Sequence, residues 1–146
     1  MPAIRVARDT DRAELIRMRM TFWPDSTADE VSARLQVPPS EGVTLVAERS
    51  GGGLEGFAEV DLRQWAEGCT STPVPYLEGI WVDGDRRRTG VATALVEAVA
   101  EWAMGMGFIE LASDCELSNL PSQAFHRSTG FAEVQRNVSF RRDLKE

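Results

Sequence analysis

Histidine is almost absent. His126 is the only one in 146 residues, so a metal centre built on several histidines has no ligands to draw on, and no metal is expected. Cysteine is nearly as scarce. Cys69 and Cys115 stand far apart, without CxxC spacing. That excludes a disulfide scaffold and predicts a reducing, cytoplasmic setting. No apolar run approaches the ~20 residues that cross a bilayer. The opening Met1-Pro-Ala-Ile-Arg-Val6 lacks the apolar core of a signal peptide, so neither membrane nor secretion is expected. GxxxxGK[ST] does not occur, which removes a Walker-type phosphate loop. Positive charge is in deficit throughout, 16 basic against 23 acidic residues, a net −7 with pI near 4.8. There is no basic stripe to follow nucleic-acid phosphates. An acid excess suits a polycationic partner, or serves solubility alone.

What is present is an ordinary globular composition, 42% hydrophobic and 27% charged, in a length that favours one domain over residues 1–146. Residues 3–8 alternate as a short strand. A helix follows, capped by Asp9 or Thr10 and stopped by Pro24. Thr27-x-x-Glu30 has capping-box spacing and opens a second helix that ends before Pro38-Pro39. Strands are predicted at 43–49 and 54–63 around the turn Ser50-Gly-Gly-Gly53. Tyr76–Val82 reads as a buried central strand. Residues 89–106 carry apolar Val91, Ala92, Leu95, Val96, Val99, Ala103 and Met106 at helical spacing, closed by Gly105 and Gly107. Phe108–Ser113 reads as a strand and 119–128 as a helix. Phe131–Leu144 reads as a long final strand in which Val134, Val138 and Phe140 alternate with polar residues. The predicted order is β-α-α-β-β-β-α-β-α-β, a mixed sheet with helices packed on it.

The most informative stretch is Ile80-Trp-Val-Asp-Gly-Asp-Arg-Arg-Arg-Thr-Gly-Val-Ala-Thr-Ala-Leu95. A strand enters a tight turn, and the turn opens a helix. Helix N-termini carry unpaired N–H groups and a positive dipole end, which together bind phosphate. Gly90 lets a ligand approach the backbone, and Ala92 keeps the next contact small. Arg86, Arg87 and Arg88 add positive charge there. The bland alternative, a basic first turn of an ordinary helix, is electrostatically disfavoured. Arg87-x-x-Gly90-x-Ala92 therefore reads as a pyrophosphate cradle.

This strand, the Arg-x-x-Gly-x-Ala turn and the long helix resemble the acyl-CoA-binding motif of the GCN5-related N-acetyltransferases. Asn119-x-x-Ser-x-x-Phe125-His126-x-x-x-Gly130-Phe131 resembles the downstream part of the same pattern. Leu77-Glu-Gly-Ile80, Ala112-Ser-Asp114 and Gly68-Cys-Thr-Ser-Thr-Pro73 resemble one branch, the aminoglycoside 6′-N-acetyltransferases. The likeness implies an α/β fold, a mixed, mostly antiparallel sheet with splayed central strands flanked by helices. It implies acetyl-CoA as co-substrate and transfer to the 6′-amine of an aminoglycoside. Backbone groups of Ile80, Trp81 and Val82 would pair with pantetheine. N–H groups of Arg87, Arg88, Thr89, Gly90, Val91, Ala92 and Thr93 would hold the pyrophosphate, and Asn119 the pantetheine arm. Asn119 serves equally as a helix N-cap. Relatives are usually dimers, so a homodimer is expected.

Acetylating an amine requires a neutral nucleophile, so a group must accept its proton. Glu78 lies in the central strand and Asp114 at the end of the next, where parallel strand ends open to one crevice. Asp114 is the favoured base or water relay, with Glu78 orienting the amine. The alternatives are a structural Glu78 paired with an arginine and a turn-forming Asp114. Where the superfamily often carries a tyrosine that protonates the leaving thiolate, this chain has His126, which either donates that proton or simply packs. The lone tyrosine, Tyr76, lies in another strand. Trp23 and Trp65, at element ends, suit stacking on a sugar or a cationic amine, or else cover the core. Gln135 falls where the resemblance implies a substrate-binding carboxylate. Glu59, Asp25 and Glu116 read as solvated surface. Rival readings are an acetyltransferase for another small polyamine or amino compound, and a non-catalytic acyl-CoA sensor.

Overall fold

The computed structural model describes residues 2–35 and 41–145. The elements run β1 (Ala3–Val6), α1 (Arg12–Phe22), α2 (Ala28–Arg34), β2 (Val43–Glu48), β3 (Leu54–Arg63), β4 (Val74–Val82), α3 (Val91–Gly105), β5 (Ala112–Ser113) and α4 (Leu120–Ser128). The strands form one sheet in sequence order. Three pairings are antiparallel, and β4 with β5 is parallel. The chain divides after Asp114 into two compact units, the sheet with α1–α3 in one and the segment from Cys115 in the other.

Local chemistry accounts for most boundaries. The β2–β3 hairpin turns through Gly51, Gly52 and Gly53, all at positive φ, a conformation that side-chain-bearing residues rarely adopt. Thr27 caps α2 by accepting a hydrogen bond from the Glu30 N–H at 3.1 Å. Helix α1 starts after a turn in which buried Asp11 accepts from the Arg8 N–H and twice from the Arg5 guanidinium. That guanidinium holds the Asp11 carboxyl below the usual carboxylate range. The Pro38-Pro39 stop lies outside the described residues.

Strand alternation sends β3 side chains to both faces. Phe57 packs with Leu15 and Met18 of α1 and with Val46 and Leu54, all essentially excluded from solvent. Gly56 on the opposite face admits Leu95 of α3. The α3 stripe Val91, Leu95, Val96, Val99 and Ala103 is buried as its spacing predicts. Each large aliphatic there contributes roughly 1.5–3 kcal/mol of burial.

Three expectations fail. Asp11, not Asp9 or Thr10, takes the N-cap position of α1, and no side chain caps that helix. The fifth strand is two residues, Ala112–Ser113, rather than Phe108–Ser113. The long final strand over Phe131–Leu144 does not form. Residues 131–145 are neither helix nor strand, and Val134, Val138 and Phe140 are exposed. A β pattern fixes which side chains share a face but supplies no partner strand, and an unpaired strand is not stable by itself.

Candidate active site

Strand β4 links two chemically different ends. Its ladder with β3 runs through eight residue pairs from Gly56↔Val82 to Arg63↔Val74. Its ladder with β5 has only two, Tyr76↔Ala112 and Leu77↔Ser113. β5 ends there, and the Gly79–Val82 edge meets no registered neighbour on that side among the described residues. The backbone of Ile80, Trp81 and Val82 therefore has no strand partner there, as an extended ligand would require.

The turn after β4 then presents amides. Gly90 takes the N-cap position of α3 at φ +88°, with no side chain capping the helix and open space where a Cβ would stand. Arg88 also sits at positive φ, 63°, a conformation a non-glycine residue adopts only when its surroundings impose it. The first-turn N–H groups of Val91, Ala92 and Thr93 therefore lack an internal acceptor, the condition for anion binding. The three arginines are not equivalent. Arg86 pairs with buried Glu55 at 3.1 Å. Arg87 donates to the Val82 carbonyl at 3.1 Å and lies over the Trp81 ring at 4.7 Å. Arg88 and Thr89 are exposed. Positive charge at the cradle is thus smaller than the sequence count suggests.

Asp83 anchors this end. It is buried and accepts from Arg17 at 3.0 and 3.2 Å, Arg49 at 3.0 Å and the Trp81 indole at 3.1 Å. Burial opposes its ionisation, but the bonds from Arg17, Trp81 and Arg49 prevail and hold it below the ordinary carboxylate range. Arg49 also grips Asp85 at 2.7 Å.

At the other end, β4 carries a bulge. Glu59 opposes Gly79 while the next residue, Val60, opposes Leu77, so Glu78 is the additional residue. Bulges re-aim side chains beside functional sites. Glu78 receives a bidentate pair from Arg63, Nε at 2.8 Å and Nη2 at 2.6 Å, which is the structural alternative raised from the sequence. Parallel register places Asp114 one residue past Ser113, at the same level as Glu78. Asp114 is exposed and accepts from the Tyr76 hydroxyl at 2.9 Å. Asp61 lies opposite Tyr76. Burial, then repulsion from Glu78, pushes its carboxyl up.

Two aromatic residues flank the unit. Trp23 stacks on Phe22 at 4.3 Å, and Phe22 stacks on Trp81 at 5.3 Å. Gly79 makes room for this cluster, since a Cβ there would stand 3.3 Å from Trp23. Glu59 is not solvated surface as expected. It is ion-paired with half-buried Arg19. Trp65 is 68% exposed on a loop tied down by Glu110, which accepts from the Thr70 and Ser71 N–H groups at 2.9 and 2.7 Å. Those bonds, that from the Ser71 hydroxyl foremost, hold the Glu110 carboxyl below its usual range.

In the second unit, Asn119 caps α4 by accepting from the Ser122 N–H at 3.1 Å. The Nδ1 of His126 stands 2.7 Å from the Ser122 carbonyl. A carbonyl only accepts, so Nδ1 carries the proton. A neutral His126 then has an unprotonated Nε2, and only the imidazolium has a proton to give from that nitrogen. Gln135 is exposed and donates to the Asn137 side chain at 2.6 Å. Cys69 and Cys115 are free thiols, and burial pushes Cys69 up. Among the described residues no group of three acidic, Cys or His side chains forms a metal cage, and no helix is long and apolar enough to cross a membrane.

Sequence reading missed Arg63, Asp61, Glu110 and the part played by Tyr76. The period of two along β4 was a usable signal for Tyr76, two residues before Glu78. The cross-strand partners carried none.

Residues 11–131 match the family described as Acetyltransferase (GNAT) family. The aminoglycoside N(6′)-acetyltransferase type 1 of Klebsiella aerogenes is 39% identical over 148 aligned residues, covering 98% of this chain and 97% of that one. The aminoglycoside acetyltransferase AAC(6′)-Iy in complex with CoA superposes with a TM-score of 0.89 at 31% identity, covering 99% and 96%. The same enzyme bound to the bisubstrate analogue CoA-S-monomethyl-acetylneamine gives 0.86 at 30%, covering 99% of each chain.

Proposed function

The chain belongs to the GNAT acetyltransferase family, and from that premise we propose that it transfers acetyl from acetyl-CoA to the 6′-amine of aminoglycosides by direct attack in a ternary complex. The observation that carries this reading is the arrangement along β4. A free strand edge leads into uncapped helix amides at one end, and at the other the parallel register sets Glu78 and Asp114 at one level beyond the β4–β5 pairing.

The residues present fit acetyl-CoA. The Ile80–Val82 edge takes the amide-bearing pantetheine, and the amides from Arg87 to Thr93 take the pyrophosphate. In the transfer, the amine nitrogen forms the new N–C bond, the C–S bond breaks, and CoA leaves as thiolate. Asp114 accepts the amine proton, directly or through one water. Glu78 orients the amine, with Trp23 and Trp65 as aromatic faces for the sugar rings. A thiol of ordinary pKa near ~8.5 makes the thiolate a tolerable leaving group, and the imidazolium form of His126 is its proton donor. Asn119 is the candidate pantetheine contact and Gln135 the candidate acceptor contact, in a chain read as one domain over residues 1–146.

A cytoplasmic homodimer completes the proposal. Two free thiols support the compartment. The alternating, exposed 131–145 segment, with Phe140 92% accessible, supports pairing with a second copy.

The test is parallel acetylation of kanamycin-type substrates bearing a 6′-amine or a 6′-hydroxyl. Turnover confined to the amine is expected, and equal turnover of both overturns the 6′-specific reading.

A further inference from the structure

The two carboxylates at the β4–β5 junction differ in what holds them. Glu78 gives both oxygens to Arg63, and a guanidinium that binds bidentately cancels the charge it grips. Asp114 has a neutral partner, the hydroxyl of Tyr76, on Oδ2. A neutral donor aligns a carboxylate without neutralising it, and Oδ1 keeps its lone pairs for another donor. Tyr76 is suited to this. It is 3% exposed and packs with Ala66, Val74 and Ala112. Its ring is covered by Arg63 at 3.5 Å. One guanidinium therefore clamps Glu78 and at the same time fixes the phenol that fixes Asp114.

We infer that Tyr76 and Arg63 are positioning residues that give the two carboxylates unequal tasks, Tyr76 holding Asp114 as the proton acceptor and Arg63 withdrawing Glu78 from proton transfer. The assignment rests on the acetyltransferase reading above. The phenol stays protonated as the donor to Asp114, since burial and then the bond to Asp114 push its ionisation upward.

Tyr76 is the only tyrosine, so its ring 13Cζ resonance is a single reporter needing no turnover. In wild type against Asp114→Asn, a substitution at an exposed residue, that resonance is expected to move at neutral pH. No movement overturns the inference. In kinetics with a 6′-amino substrate, Tyr76→Phe is expected to lower kcat about tenfold and to leave the acetyl-CoA KM unchanged. In the Asp114→Asn background the same change is expected to cost nothing further. A full additional loss there means that Tyr76 does not act through Asp114. Arg63→Gln, which releases Glu78 and loosens the phenol together, is expected to alter the acceptor KM and to lower kcat by less than Tyr76→Phe does. A kcat loss matching that of Tyr76→Phe overturns the division of tasks. Failure of the functional reading looks different, because wild type would then be inert toward 6′-amines while the 13Cζ response to Asp114→Asn persists.

Discussion

Asp83 and Asp114 each stand one residue past the end of a strand, and β4 and β5 are parallel neighbours. Asp83 is buried under two arginines and an indole. Asp114 is exposed and touched by one neutral hydroxyl. The first charge is consumed by the fold and steadies the turn that presents the α3 amides. The second is left unspent, and in the proposed reaction it is the proton acceptor. The same residue type becomes scaffold or reagent according to the charge of its partners, and four substitutions sharpen or break that contrast.

The largest effect is expected from Asp83→Ala. Removing it takes the shared buried acceptor from Arg17, Arg49 and the Trp81 indole, although Arg17 keeps Glu14 and Arg49 keeps Asp85, and denaturant unfolding is expected to show a loss of about 3 kcal/mol from these hydrogen bonds together. Its folded-state pKa is depressed. The stabilisation is therefore complete above the unfolded carboxylate value of ~3.9 and disappears as pH falls through the lower folded value. Wild type should lose stability below about pH 4, and the variant should show a smaller acid dependence.

Asp114→Asn should do the reverse. Unfolding is expected to stay within about 0.5 kcal/mol of wild type, while kcat falls by about 10²-fold or more. An Asp114→Asn enzyme with normal kcat would remove the contrast altogether.

Gly56→Ala probes the link between the Asp83 end and the cofactor edge. A Cβ there would stand 2.8 Å from the Trp81 carbonyl oxygen and 3.3 Å from Leu95, so β4 must shift. A stability loss of about 1–3 kcal/mol is expected, with a raised acetyl-CoA KM and an acceptor KM that changes less. The smallest effect belongs to Glu110→Gln, which loosens the Trp65 loop. The acceptor KM should rise about two- to fivefold with the acetyl-CoA KM unchanged.

Sequence reading reached what depends on short spacing. The α3 stripe, the Thr27 cap, the glycine hairpin and the turn before α3 are all local, and all are present. Glu78 and Asp114 were legible as candidates because one lies within the central strand and the other just past the end of its parallel neighbour. Arg63 was not, since it lies fifteen residues from Glu78 and meets it only through antiparallel register. The bulge at Glu78 was equally hidden, because an extra residue in a ladder appears only when both strands are aligned. The alternation after Phe131 was read correctly as a pattern and wrongly as a formed strand.

The Glu110 clamp also bears on the thermodynamics of binding. Its bonds to Thr70 and Ser71, with Thr72 donating to the Gln64 carbonyl at 2.6 Å, hold the Trp65 platform in shape before any ligand arrives. Under the proposed function, with Trp65 an acceptor contact, an arriving sugar has no loop to freeze, so the ordering entropy that usually offsets aromatic stacking is already settled in folding.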